Sequence, residues 1–99
     1  MLEIKILGKV YKVEISNNFK EHNSTDRGNV GLTQDKIIVD NTLCIDQQKE
    51  TLLHEIIEVL NDSFEMDLKH CTISQLTAGL LQILLDNKKI LENYFDENL

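Results

Sequence analysis

The 99-residue sequence contains no proline, a single arginine and two cysteines. The absence of proline suits a compact fold with short connections. Arg27 is the only arginine and no run of lysine or arginine exists, so the sequence does not predict a nucleic-acid-binding protein, because phosphate contacts need clustered basic side chains. The net charge of −7 agrees with this and favours a cation or a basic partner instead.

Export and membrane signals are also lacking. In the N-terminal stretch MLEIKILGKVYKVEIS, apolar and charged residues alternate, so it lacks the continuous apolar segment of a signal peptide. No apolar run approaches the ~18 residues of a membrane span. Cys44 and Cys71 show no C-x-x-C spacing, so we expect free, reduced thiols in a cytoplasmic protein with no membrane partner. The length predicts a single domain over residues 1–99 with a modest core.

The N-terminal half predicts a small antiparallel β-sheet of three to four strands. Apolar and charged residues alternate over about 2–7 and 10–16, which is typical of strands. Gly8-Lys9 between them suits a two-residue type II′ turn. A polar loop then precedes one or two further strands, of which Lys36–Asp40 is the clearest.

The C-terminal half predicts helices. Apolar residues recur every three or four positions from about Asp46, the expected N-cap, to Phe64. A second helix is expected from about Cys71 to Asn87, followed by a short third helix around residues 90–95. The second helix is apolar over most of its surface, so we expect it to be buried against the sheet, with an interface to a partner protein or to a second copy as the alternative. The predicted fold class is therefore α+β, with the sheet packed on two main helices and a short C-terminal helix.

The first helix contains the pentapeptide HEIIE, which differs at its last position from the H-E-x-x-H pattern of zinc peptidases. Residues four apart on a helix lie on one face, about 6 Å apart at Cβ, so His54 and Glu58 can both reach one cation. Glu55 occupies the position of the general base that activates a metal-bound water. The alternative is that Glu55 and Glu58 belong to a solvated face while His54 borders the core.

We expect the third protein ligand of a catalytic zinc ion near the start of the next helix, because that segment turns back over the first helix. Catalytic zinc takes three protein ligands and leaves a fourth position open. His70 stands at the expected place, which predicts one Zn²⁺ per chain held by two histidines and a carboxylate. Cys71, Asp62 and Glu65 are alternative third ligands, and His22 is expected to be solvent-exposed. The same donors also form the facial triad of non-haem iron oxygenases, which usually stands on a β scaffold.

Four segments carry a resemblance to a known family: ILGKVYKVE, QDKIIVD, KETLLHEIIEVLN and LKHCTISQLTAGLLQILLDN. The chain resembles small phage and prophage proteins that are similar to minimal zinc metallopeptidases. In that family the helix reads H-E-x-x-H with an acid downstream, or H-E-x-x-E with a histidine downstream. His54, Glu55, Glu58 and His70 match the second version. The resemblance implies a zincin-like core, and the larger group includes peptidases that cleave repressors of mobile elements.

The start of the second helix is where the sequence departs from that family. Relatives often have serine, threonine or aspartate just before the downstream ligand, and this chain has Lys69. Thr72 with Gln75 could cap the helix instead. His70 would then lie in the preceding loop, still within reach of a metal.

Two functions from different classes are compatible with the sequence. The first is a zinc-dependent peptidase in which Glu55 passes the proton of the attacking water to the leaving amine. Its protein or peptide substrate would pair with an exposed edge at Lys36–Asp40, and Arg27 and Tyr94 are candidates for stabilising the oxyanion. The second is a zincin-like interaction module, metal-binding or metal-free, without peptidase activity.

Overall fold

The computed structural model describes residues 2–17, 28–31 and 36–96. The chain forms a four-stranded sheet in the order β1-β2-β4-β3, followed by three helices, which is the predicted α+β class. The strands are β1 (Leu2–Ile6), β2 (Lys9–Ser16), β3 (Gly28–Gly31) and β4 (Lys36–Asp40), and the helices are α1 (Ile45–Ser63), α2 (His70–Asp86) and α3 (Lys88–Phe95).

The sheet is mixed, which corrects the prediction of an antiparallel sheet. The β1–β2 and β3–β4 pairs are antiparallel, but β2 and β4 run parallel, with Val13 opposite Ile37. A parallel pair needs a long connection between its strands, and residues 17–35, which include β3, provide it. Local alternation predicts that a strand forms, but it contains no information on the direction in which the strand enters the sheet.

β4 is an interior strand, so the predicted substrate edge at Lys36–Asp40 is wrong. β4 pairs with β2 on one side and with β3 on the other. Its three central residues, Ile37, Ile38 and Val39, are all buried, as expected of a strand that is covered on both faces. The outer strands of the sheet are β1 and β3.

The β1–β2 hairpin turns one residue earlier than predicted. Ile6 pairs with Lys9, so the loop is Leu7–Gly8, and these residues have φ values of 52° and 83°. Positive φ at both central positions identifies a type I′ turn rather than a type II′ turn. Gly8 adopts this conformation at no steric cost, whereas Leu7 is in a region that few residues other than glycine occupy.

The core lies between one face of the sheet and α1. Leu52, Ile56 and Leu60 of α1 pack against a cluster of buried side chains. Complete burial of such a side chain contributes about 1.5–3 kcal/mol, so the sheet and α1 form the best-stabilised part of the chain. The buried cluster consists of Ile6, Tyr11, Val13, Ile37, Val39 and Val59.

The helix starts differ from the predicted ones. The N-cap of α1 is Cys44 rather than Asp46, and the Cys44 N–H donates to Gln47 Oε1 at 3.3 Å. The N-cap of α2 is Lys69, without a side-chain hydrogen bond. The proposed cap by Thr72 is therefore wrong, and His70 is the first residue of the helix rather than a loop residue.

Among the described residues, α2 packs mainly against α1, and its apolar surface is not buried against the sheet as expected. Only Ile73 and Thr77 of α2 are buried, and α3 has no buried residue. The Thr77 hydroxyl donates to the Ile73 carbonyl at 2.7 Å, which satisfies its polar group within the helix. None of the helices described here is long and apolar enough to cross a membrane.

Candidate metal centre

One face of α1 presents His54 and Glu58 together, as the helical spacing predicts. The His54 Nε2 and Glu58 Oε2 atoms are 3.9 Å apart, and the two side chains are 17% and 38% exposed. The pair therefore lies at the border between the packed and solvated sides of α1. Asn61 is three residues further along the same face.

A Schellman motif ends α1 and turns the chain back. The Met66 N–H donates to the Asn61 carbonyl at 3.1 Å, and the Glu65 N–H donates to the Asp62 carbonyl at 3.3 Å. Glu65 takes the left-handed position, with φ of 52°, where glycine is usual. Because no glycine marks this position, the sequence contains no clear signal for the motif.

The side chain of Asn61 forms a second hydrogen bond to the backbone of the same loop. Its Oδ1 atom accepts a hydrogen bond from the Leu68 N–H at 2.9 Å. Asp67, the residue before Leu68, also has a positive φ, of 56°. Asn61 thus fixes the segment that leads to His70. Sequence reasoning missed this role, since a polar residue three positions after Glu58 does not by itself indicate a loop contact.

His70 completes the group at the start of α2. The ring centroids of His54 and His70 are 5.1 Å apart, with the planes inclined by 58°. One ligand atom from each of His54, Glu58 and His70 lies within 4.8 Å of the other two. Two neighbouring helices therefore bring together the three side chains that the sequence suggested as ligands.

The alternative third ligands do not join this group. Cys71 is an exposed, free thiol, and Asp62 and Glu65 belong to the turn that ends α1. In the part of the chain that the structure describes, no other set of three or more histidine, cysteine, aspartate or glutamate side chains is placed to hold a metal.

Tyr94, one of the two candidates for oxyanion stabilisation, does not lie at the site. Tyr94 is exposed on α3, beyond the C-terminal end of α2, whereas His70 is at its N-terminal end. A helix of the length of α2 separates its ends by about 25 Å. Arg27, and also His22, fall outside the described residues.

The donor set fits a zinc ion if the three side chains close around it. Zn–N and Zn–O bonds of about 2.0–2.1 Å imply donor atoms about 3.3 Å apart in a tetrahedral site. The His54–Glu58 distance of 3.9 Å exceeds this by a fraction of an ångström, and the three donor atoms are up to 4.8 Å apart, so side-chain rotations must bring all three closer together. Imidazole nitrogen and carboxylate oxygen are the donors that catalytic zinc sites use.

Glu55 lies in a different environment from Glu58. It is 8% exposed, and it belongs to a row of buried residues with Thr51 and Val59. Val59 packs in the core beneath the sheet, so this row is the side of α1 that faces the sheet. The idea that Glu55 belongs to a solvated face is therefore wrong, whereas Glu58 is partly exposed as that idea expects.

Comparison with known proteins gives no match, whether with protein-family models, curated proteins or solved structures. The resemblance to the phage family therefore stays a prediction from four sequence segments. The functional argument depends on the geometry of His54, Glu58 and His70 and on the chemistry of these donors.

Proposed function

We propose that the chain is a zinc-dependent peptidase of phage or mobile-element type, acting in the cytoplasm. One Zn²⁺ per chain would bind to His54, Glu58 and His70. The observation that carries the proposal is the meeting of three donor atoms, from two helices, within 4.8 Å of one another. A three-ligand set leaves a fourth position for water or substrate, as catalytic zinc sites require.

Glu55 is the residue assigned to proton transfer. A zinc ion held by these residues would supply a Lewis acid that polarises the scissile carbonyl and lowers the pKa of water. The Glu55 carboxylate would take a proton from the attacking water and return it to the amine nitrogen of the leaving group. Glu55 adjoins His54 in the chain, so both residues are held by the same turn of the core-packed helix α1.

The substrate class that suits this scaffold is an extended peptide segment. Such a segment can add to an exposed strand and bind through main-chain hydrogen bonds. Of the two outer strands, β3 has the more extensive contact with α1, and α1 carries His54 and Glu58. By analogy with the larger peptidase group, the substrate would be a repressor protein.

A second candidate function is a zincin-like binding module without peptidase activity, whether metal-binding or metal-free. The burial of Glu55 favours it, because a general base must reach the reacting water and this carboxylate is only 8% exposed. In the metal-binding form of this module, zinc would serve only to hold α2 against α1.

The metal content of the purified protein tests the ligand set. We expect about one zinc per chain in the wild type by plasma mass spectrometry, and affinity at least ~10-fold weaker in His70→Ala and in Glu58→Ala. The chain has three histidines, so His22→Ala serves as the matched control and should keep its zinc. No zinc in the wild type after dialysis against the ion would remove the metal centre altogether.

The Glu55→Gln variant separates the peptidase from the binding module. We expect it to bind zinc like the wild type and to lose hydrolysis of unfolded protein substrates, because the amide cannot accept the proton. Undiminished hydrolysis in Glu55→Gln would exclude Glu55 as the base. Zinc binding without hydrolysis in the wild type would support the binding module.

A further inference from the structure

An apolar surface on α2 and α3 is left uncovered by the described part of the chain. We call it the outer surface. It consists of seven large apolar residues, each at least 40% exposed, and an exposed group of this kind marks an interaction site. They are Leu76, Leu80, Ile83 and Leu84 on α2 and Ile90, Tyr94 and Phe95 on α3.

The charge distribution allows a second, like-charged copy to approach this surface. The chain has a net charge of −7, yet α2 has no aspartate, glutamate, lysine or arginine between His70 and Asp86. Two identical acidic chains repel each other, and burial of an unpaired carboxylate would add a desolvation penalty. The outer surface on α2 is long, apolar and free of acidic side chains, so two copies can meet there without burying charge.

The apolar residues at the two ends of α2 are complementary in an antiparallel arrangement. Phe64 and Met66 are exposed just before the N-terminal end of α2, and Tyr94 and Phe95 are exposed beyond its C-terminal end. A two-fold axis across α2 would bring each end beside the opposite end of a second copy, as in an isologous dimer. A parallel arrangement would not bring these two groups together.

Gly79 lies near the middle of α2 and has no packing role against the other residues that the structure describes. A Cβ built at this position meets no atom within 4 Å. Glycine inside a helix is less stable than alanine, so its presence calls for a reason. Leu76 and Ile83, three residues before and four after, are exposed around it, and a close approach by a second helix is such a reason.

We propose that the chain forms a two-fold symmetric homodimer in which α2 pairs antiparallel with α2 of a second copy. The axis passes near Gly79 and Leu80, and Leu76 lies opposite Ile83 of the partner subunit. α3 of the partner subunit then lies beside the loop that leads to His70. The dimer does not depend on the metal or on catalysis.

The self-association of the chain tests the interface. Sedimentation equilibrium should show a concentration-dependent dimer in the wild type, and Ile83→Glu should weaken it at least tenfold. Ile45→Glu is the matched control, since Ile45 and Ile83 are both exposed helical isoleucines, at 64% and 54%. Ile45→Glu should dimerise like the wild type, and circular dichroism should show both variants folded. A wild type that is monomeric at all concentrations, or equal weakening by both substitutions, would overturn the proposal.

Disulfide trapping tests the direction of pairing. In a background with Cys44→Ser and Cys71→Ser, Leu80→Cys lies near the axis and should cross-link to itself under mild oxidation. Leu76→Cys should not, because it faces position 83 of the partner subunit. Cross-linking of both variants would indicate a parallel pair and would overturn the antiparallel arrangement, as would cross-linking of neither.

Discussion

The sheet with α1 and the pair α2–α3 are stabilised in different ways. Among the described residues, every buried hydrophobic side chain except Ile73 belongs to the sheet or to α1. α2 and α3 instead expose most of their apolar side chains. The candidate metal centre spans the boundary, with His54 and Glu58 on the core-packed helix and His70 on the outer one. A bound ion would therefore attach the weakly packed region to the strongly packed one, so that metal binding and local stability are coupled.

The largest expected effect comes from truncating one buried isoleucine in each region. Ile37 and Ile73 are 0% and 1% exposed, and Ile37→Ala should lower the free energy of unfolding by about 4 kcal/mol. Ile73→Ala should cost less, about 2–3 kcal/mol, since α2 has fewer packed neighbours and can relax around the lost volume. Urea unfolding of both variants without zinc measures the difference.

Zinc affinity should show the reverse order: Ile73→Ala should weaken zinc binding, whereas Ile37→Ala should not. Ile73 anchors α2 close to His70, whereas Ile37 lies in the sheet. Zinc titration under conditions where both variants are folded should show weaker binding for Ile73→Ala only. Equal affinity of the two variants would mean that the metal centre does not depend on the packing of α2, and the contrast between the regions would lose its functional meaning.

The next largest effect is that of zinc on stability. At a free zinc concentration 100-fold above Kd, the free energy of unfolding should rise by about 2.7 kcal/mol. Hydrogen exchange should slow most at the start of α2, because His70 is the proposed ligand on the less packed helix. A chelator should reverse the effect, and His70→Ala should not show it. Equal protection of β4 and α2 would argue against a local attachment of α2.

A smaller effect is expected from Asn61. Asn61→Ala removes the acceptor for the Leu68 N–H, which should cost about 1 kcal/mol and weaken zinc binding several-fold by loosening the loop before His70. Asn61→Asp keeps an acceptor oxygen and is the control, with near wild-type affinity. Wild-type zinc affinity in Asn61→Ala would show that the Schellman motif alone positions His70.

Helical periodicity was sufficient to bring His54 and Glu58 together, because a spacing of four residues sets their relative direction whatever the helix packs against. The short return from α1 likewise made His70 the natural third donor. The bounds of β4 were predicted correctly, but its place at the edge of the sheet was wrong. The uninterrupted apolar run Ile37–Val39 is typical of a strand buried on both faces. The role of Asn61 was missed because a side-chain bond to the backbone seven residues away has no periodic pattern.

The parallel pairing of β2 with β4 has a consequence for the order in which the chain folds. The β1–β2 and β3–β4 hairpins join neighbours in sequence, so each can form early. The β2–β4 contact joins strands that are separated by residues 17–35, and it must overcome the entropy of closing that connection. We therefore expect two hairpins to dock along their inner strands in the slow step. The His54–Glu58–His70 group lies wholly after β4 in the chain, so it assembles on a scaffold whose strands have already been synthesised.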